Sequence, residues 1–327
     1  MSRNVADLAA LSRQLVREWV DMLDPDQRGR AMMPFDSIDR LTWAYVPGDR
    51  NGLAIRDMST AQREAAMALV DAGLSARGAD EVRAIMARER VLGELERRAG
   101  QGGWAQRDPE RYWFAIHGQP DPAKPWGWRV DGHHISVRMT VVDDEVAVTP
   151  LFLGVNPARV PPEPGGGTHL LAAEESLARD LLARLSDAQK AIAVFDPVAP
   201  DDILTSNLRR FEPGSLPLGI AYASLEPGQR ASFERLVRHY LARAAYVSAA
   251  TAWAELEVAG LGGLTFAWAG PEEPGHGHYY VVRGDRFLIE YDNTQDRANH
   301  VHSVWRDAAR DWGDDLLAAH YAAFDHR

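Results

Sequence analysis

The chain is 327 residues long, has no cysteine and carries a formal net charge of −11, with 46% hydrophobic and 25% charged residues. The missing cysteine removes disulfides, thiolate metal sites and cysteine nucleophiles, and the acidic balance is the reverse of the basic surplus typical of nucleic-acid binders. A chain of this length and apolar content can bury a core without staples, and no apolar run approaches the roughly 18 residues of a membrane span.

The first segment, Met1 to Asp24, is polar and amphipathic and lacks the charged start and apolar stretch of a signal peptide. A soluble, cytoplasmic protein with neither a nucleic-acid nor a membrane partner is therefore expected. Apolar residues recur at helical spacing over 5–22, 60–74 and 79–98. Strands follow at 111–117, 126–130, 133–142 and 145–153, with Asp131-Gly132 and Asp143-Asp144 as two-residue turns. Residues 159–168, rich in proline and glycine, read as a connector, with Gly165-Gly166-Gly167 as a hinge. Beyond it helices fit 171–184, 187–195, 228–243 and 245–258, and strands fit 264–269, 278–283, 286–292 and 300–306, with Gly284-Asp285 as a turn. A last helix, about 312–324, closes the chain.

The elements repeat. Asp24-Pro25-Asp26-Gln27-Arg28, Ser59-Thr60-Ala61-Gln62-Arg63, Ser186-Asp187-Ala188-Gln189-Lys190 and Glu226-Pro227-Gly228-Gln229-Arg230 each place a side-chain oxygen three residues before Gln. That is the signature of a capping box: the first oxygen accepts from the first-turn N–H groups and Gln reaches back. Gly52-Leu53-Ala54 precedes Arg63 by the interval at which Gly219-Ile220-Ala221 precedes Arg230, and Phe114-Ala115-Ile116 parallels Phe266-Ala267-Trp268. Gly132 falls in one hairpin where Gly284 falls in the other. These matches predict an internal duplication, with copies at 5–153 and about 168–306. The expected fold is α+β: two tandem pseudo-symmetric halves, 1–158 and 159–327, each helices followed by an antiparallel sheet, with the last helix appended to the second.

Several of these residues, with others, carry a resemblance to a known family. They are Met33-Pro34-Phe35, Trp43, Pro47, Arg50, Gly52, Leu53, Gly132-His133-His134, Gly154-Val155-Asn156-Pro157, Glu174-Glu175, His300-Val301-His302-Ser303, Arg306-Asp307, Asp311 and Gly313. Over nearly its whole length the chain resembles the uncharacterised family known as domain of unknown function 3500. The resemblance implies membership and no chemistry, so the functional case rests on the residues.

Histidines supply that case. His300 and His302 share one side of a strand, because successive side chains alternate faces, and such a pair can chelate one ion. A third ligand from Glu290 or His134 would complete a site for iron or zinc. With Asp131-Gly132 as the turn, Arg129 lies opposite His134, and His134, Ser136, Arg138 and Thr140 share a polar face. With Gly284-Asp285 as the turn, Tyr279 pairs with Glu290, and Tyr279, Arg283, Arg286, Glu290 and Asp292 share another. If the halves meet about a pseudo-twofold axis, these faces form one cleft. His300, His302, His134 and Glu290 are then the metal ligands, Glu290 and His134 the catalytic groups, and Arg129, Arg138, Arg306 and Ser136 the grip on an anionic substrate. His133 reads as a satisfied, partly buried side chain and His278 as a cap on the core face, though either can join the site. Asp196, Asp201 and Asp202 read as turn residues. The plain competing reading is that polar faces of antiparallel sheets are simply solvated. The function expected is a metal-dependent hydrolase or oxygenase acting on a small, anionic organic molecule. The rivals are a metal-free small-anion-binding protein and a structural or assembly protein without catalysis.

Overall fold

The computed structural model describes residues 4–160 and 167–323. Of the predicted connector 159–168, residues 161–166 lie outside that range, as do Gly165-Gly166 of the predicted hinge and the end of the predicted last helix at Phe324.

The first run of elements is α1 (Val5–Asp21), α2 (Pro25–Ala31), β1 (Met32–Met33), β2 (Leu53–Ala54), α3 (Thr60–Gly73), α4 (Ala76–Arg98), β3 (Tyr112–His117), β4 (Trp126–Gly132), β5 (Ile135–Val142), β6 (Glu145–Ala147) and β7 (Leu151–Val155). The second is α5 (Ala172–Ala183), α6 (Asp187–Ala193), β8 (Val194–Asp196), β9 (Ile220–Ala221), α7 (Pro227–Leu241), α8 (Tyr246–Ala259), β10 (Thr265–Ala269), β11 (Tyr279–Arg283), β12 (Phe287–Asp292) and β13 (Val301–Asp307), closed by α9 (Asp314–Ala323). The described strands form a single mixed sheet in the order β1-β3-β4-β5-β7-β13-β12-β11-β10-β8, with β2 on β3, β6 on β5 and β9 on β10. It is mixed because β1 runs parallel to β3 and β8 parallel to β10. The two runs join at the antiparallel pair β7–β13, where His302 stands opposite Gly154.

All four predicted capping boxes form. Their glutamines also do something the sequence did not announce. Gln62 Nε2 donates to Gln27 Oε1 at 2.7 Å, and Gln229 Nε2 donates to Gln189 Oε1 at 2.8 Å. Each pair clips two helix starts together, and its amides also answer carbonyls of the preceding loops, Met22 and Arg184 among them.

One face of the sheet packs on the helices through Val130, Ile135, Val137, Met139, Leu153, Tyr280, Ile289 and Tyr291. The other face was expected to be polar, and it is, but it is not wet. Loops cover it with two small apolar clusters. Trp43, Tyr45, Phe152, Ile203, Val304 and Trp312 form one, and Phe211, Leu216, Tyr279, Val281 and Leu288 belong to the other. Ser136, Glu290 and Arg306 are fully buried beneath this layer. Buried polar groups need partners, and this requirement decides where the predicted site residues go.

Of the three predicted two-residue turns, Asp143-Asp144 stands where expected, since Val142 pairs with Glu145; the other two are displaced. β4 and β5 pair Arg129 with Arg138 and Gly132 with Ile135, so the turn is His133-His134, not Asp131-Gly132. The reason is local. A Cβ on Gly132 would lie 2.3 Å from the Tyr112 ring, so this glycine serves a close approach inside the strand. His134 instead takes the left-handed conformation, φ 65°. Likewise Arg283 pairs with Leu288 and Tyr279 with Asp292, which moves that turn to Asp285-Arg286. The predicted strand 145–153 is two strands, β6 and β7, separated at Val148-Thr149-Pro150; proline has no N–H for a ladder. The predicted helix 187–195 stops at Ala193, and its last residues belong to β8. No helix among the described residues is long and apolar enough to cross a membrane.

Candidate metal centre

His134, His300 and His302 converge at the seam of the sheet. One ring nitrogen from each lies within 4.8 Å of those of the other two. His134 reaches the seam because it occupies the β4–β5 turn in a left-handed conformation. That turn is pinned on both sides: the His134 N–H donates to the Tyr45 carbonyl and the Gly154 N–H donates to the His134 carbonyl, both at 2.8 Å. His302 projects from β13 on the loop-covered face, and His300 immediately precedes the same strand. The His134 and His300 Nε2 atoms stand 2.7 Å apart, and the His300 and His302 ring centroids 4.6 Å apart.

Gly154 makes room for this. A Cβ there would lie 2.7 Å from the Val301 carbonyl oxygen, 3.0 Å from His134 Cδ2 and 3.1 Å from His302 Cδ2. The two imidazoles occupy the space that any side chain at position 154 would need.

The rings are oriented from behind. His302 Nδ1 is 2.7 Å from Asp202 Oδ1, and Asp202 is itself fixed by the Tyr45 hydroxyl, which donates to Oδ2 at 3.1 Å. Tyr45 stacks on Phe152 and meets the His302 ring edge-on at 4.9 Å between centroids. His300 Nδ1 faces Asp296 Oδ2 at 3.5 Å and the Asn156 amide at 3.4 Å. A carboxylate on one ring nitrogen fixes the tautomer, so the other nitrogen presents its lone pair, as in carboxylate–histidine–metal triads.

The electrostatics favour neutral rings at His134 and His300. Burial holds the His134 pKa well below its ordinary value, and neighbouring His133, His300 and His302 push it the same way. Burial also lowers His300, against the opposing pull of Asp296. Asp202 is held low by its bond to His302 although burial works the other way. Neutral imidazoles have no proton to lose before ligating an ion.

A second group adjoins the first. Glu89, His133 and His134 also bring ligand atoms within 4.8 Å of one another. His133 Nδ1 lies 2.6 Å from Glu89 Oε1 on α4, and its ring centroid is 3.7 Å from that of His134. The reading of His133 as a satisfied, buried histidine thus has its partner in Glu89.

The other predicted site residues are elsewhere. Glu290, expected as a ligand, accepts from the Leu204 and Thr205 N–H groups, the Thr205 hydroxyl and the Tyr279 hydroxyl. It anchors the loop that covers the sheet and stands outside both histidine groups. Arg129 donates to Asp131, Asp39 and the Asn51 carbonyl. Arg138 donates to Ser136 and the Arg40 carbonyl and lies over the Trp312 ring. Ser136 in turn donates to Asp131. Arg306 donates to Asp311 and the Arg209 carbonyl. The predicted substrate grip is therefore a set of internal charge pairs under the loop layer. His278 is stacked 4.4 Å from Trp268 on the helix-facing side, away from the cluster.

Sequence reasoning missed Glu89, Asp202, Asp296, Asn156 and the role of Gly154. Asp202 was assigned to a turn, and a loop acid carries no periodic signal. Glu89 lay inside a correctly expected helix, and only the folded contact distinguishes it from any helix-face carboxylate.

Neither a curated protein nor a solved structure matches this chain. One family does, across residues 7–314, and the chain belongs to it: Protein of unknown function (DUF3500).

Proposed function

We propose that the protein is a metal-dependent enzyme in which His134, His300 and His302 hold a divalent ion and a small organic anion is the substrate. The observation that carries this reading is the convergence of three ring nitrogens within 4.8 Å, from segments 166 residues apart in sequence. Asp202 and Asp296 behind two of the rings support it. Three converging imidazoles are a zinc donor set. The two-histidine, one-carboxylate set of non-haem iron is offered, among the described residues, only by the adjoining Glu89, His133 and His134, where Glu89 Oε1 and His133 Nδ1 already engage each other at 2.6 Å. Zinc has no redox chemistry, so hydrolysis is the reaction class favoured over oxygenation. A bound ion would polarise a substrate oxygen or activate water. Elemental analysis of protein purified without a histidine tag is the test. The expected result is one zinc per chain, lost in His300→Ala/His302→Ala. A protein that takes up no zinc, even from a zinc-supplemented buffer, refutes the reading.

A metal-free anion binder has one observation in its favour. Arg50 and Arg129 line a cleft of about 380 Å³ with Asp39, Asn51 and Asp131. It is the weaker reading, because both terminal nitrogens of Arg129 are already answered.

We infer also that the halves 1–158 and 159–327 descend from one duplicated unit, in a cytoplasmic protein. Three features support the duplication. The elements succeed one another in the same order, apart from β6 and α9. The glutamine clips recur. A Cβ on Gly52 would strike the Phe114 carbonyl and one on Gly219 the Phe266 carbonyl. Arg286 holds the turn position equivalent to His134 and pairs with Asp307 at 2.8 Å, which favours one centre at the seam over one per half. A half-length relative that dimerises through its β7-like strand is the expected finding. Relatives in which the halves vary in element order would count against it.

A further inference from the structure

The histidine cluster has at its edge an ion-paired arginine with one nitrogen that no carboxylate of the described residues answers. Arg107 follows the short turn Trp104–Gln106, and Glu96 fixes its fork. Nε lies 3.1 and 3.0 Å from the two Glu96 oxygens, and Nη2 lies 2.7 Å from Oε1. The remaining nitrogen, Nη1, stands 3.3 Å from His133 Nδ1.

That contact does not satisfy it. His133 Nδ1 is also 2.6 Å from Glu89 Oε1. An ionised carboxylate only accepts, so Nδ1 must carry the hydrogen. A protonated ring nitrogen has no lone pair to offer Arg107, and the approach is donor against donor. Among the described residues, Glu96 is the only carboxylate in ion-pair contact with Arg107. The free guanidinium edge therefore stands one imidazole away from the cluster: the His133 ring lies 3.7 Å from that of His134, whose Nε2 is 2.7 Å from His300.

We propose that Arg107 Nη1 is the substrate grip of this centre and that the substrate is a small organic monocarboxylate. The proposal rests on the metal-centre reading above and supplies the anion-binding group that Arg129, Arg138 and Arg306 do not. Charge decides the class. Only one guanidinium nitrogen is free, so the contact is to a single anionic oxygen and not the forked contact that arginine makes with carboxylate or phosphate. Glu96 pairs with Arg107 and Glu89 stands on the other side of the His133 nitrogen, in a chain of net charge −11, and a dianion would meet more repulsion there than a monoanion.

The test uses full-length protein loaded with cobalt(II), whose visible absorption reports ligands entering the metal sphere, titrated with acetate and with inorganic phosphate. Wild type is expected to bind acetate more tightly than phosphate. Arg107→Met is expected to keep one cobalt per chain and to bind acetate at least tenfold more weakly, with partial recovery in Arg107→Lys. If Arg107→Met is unstable because Glu96 is left unpaired, Arg107→Met/Glu96→Gln removes that charge and is expected to show the same loss. Unchanged acetate affinity in a cobalt-loaded Arg107 variant overturns the proposal, and so does phosphate binding more tightly than acetate. Failure of the wild type to take up cobalt is a different result: it overturns the metal centre, and the monocarboxylate grip with it.

Discussion

Substituting Gly154 by alanine is the most direct probe of how the histidines are held. The new methyl would sit 2.7 Å from the Val301 carbonyl oxygen and 3.0 and 3.1 Å from the His134 and His302 rings. The first contact is with backbone across the β7–β13 pair and cannot be relieved by a rotamer. Overpacking of this kind costs about 1–3 kcal/mol, while loss of glycine's freedom in the unfolded chain returns about 0.4–1 kcal/mol. A net loss of about 1–2 kcal/mol follows. With an unfolding entropy of about 2.1 cal/mol/K per residue, 327 residues give about 0.7 kcal/mol per kelvin, so Tm should fall by only about 1.5–3 °C. The metal should respond more. Displaced rings lose the alignment that Asp202 and Asp296 impose, and disturbances of outer partners typically reduce metal affinity about 10–100-fold. The assay pairs a thermal melt with zinc competition against a chromophoric chelator. A Gly154→Ala protein with wild-type zinc affinity and unchanged Tm would show that the rings do not occupy the space assigned to them.

Asp202→Ala should weaken zinc binding by about 10–100-fold while leaving the melt nearly unchanged, since Asp202 is partly exposed at the rim; a chelator titration measures it. Glu290→Gln should do the opposite. It places an amide N–H₂ against the Leu204 and Thr205 donors, and an unsatisfied buried group costs about 1–3 kcal/mol, so denaturant stability should fall with zinc content intact. Loss of zinc in that variant would restore Glu290 as a ligand. His278 should contribute to acid sensitivity. Burial, then the nearby Arg179 charge, depress its pKa from 6.5 to about 3. The unfolded chain therefore takes up a proton below pH 6.5 that the native state refuses. Stability is lost as pH falls from about 6.5 toward 3, at about 1.4 kcal/mol per pH unit. Denaturant melts at pH 7 and pH 5.5 should show a smaller acid loss in His278→Gln, by about 1.4 kcal/mol; equal losses would mean that the ring is already protonated in the folded protein.

What could be read from the sequence, and what could not, separates along the range of the interactions. The capping boxes were legible because each is closed within four residues. The two faces of the hairpins were legible even though two of the three predicted turns were misplaced. The β4–β5 turn moved by two residues and the β11–β12 turn by one, and in each case the Cα pairing changed by an even offset. Only an odd offset in a strand pairing sends side chains to the other face. His134, Ser136 and Arg138 therefore stayed on one face and Ile135, Val137 and Met139 on the other, as expected. The site failed where the deciding partners sit in loops. Arg129 and Arg138 in direct cross-strand register would repel, and in isolation that looks like a site waiting for an anion. The folded chain resolves it with Asp131 from the same hairpin and Asp39 from a covering loop. Glu290 is answered by Thr205, which lies 85 residues away in a segment without hydrophobic periodicity. No local pattern announces such a partner.

That contrast also explains which charged groups remain available. A buried charge is tolerated when it is paired, so the loop layer over the sheet consumes the arginines and acids it covers. His134 and His300 escape because a neutral imidazole can be buried without an ion pair, and burial itself keeps these two rings neutral. At the β7–β13 seam the layer thins: Asp202 and Asp296 at its rim are partly exposed, and the absent side chain at Gly154 leaves the three rings facing one another. The place where the two sheet halves join is thus where, among the described residues, three imidazoles meet on this face. Chemistry at this seam needs residues from both halves, so neither half alone would assemble it.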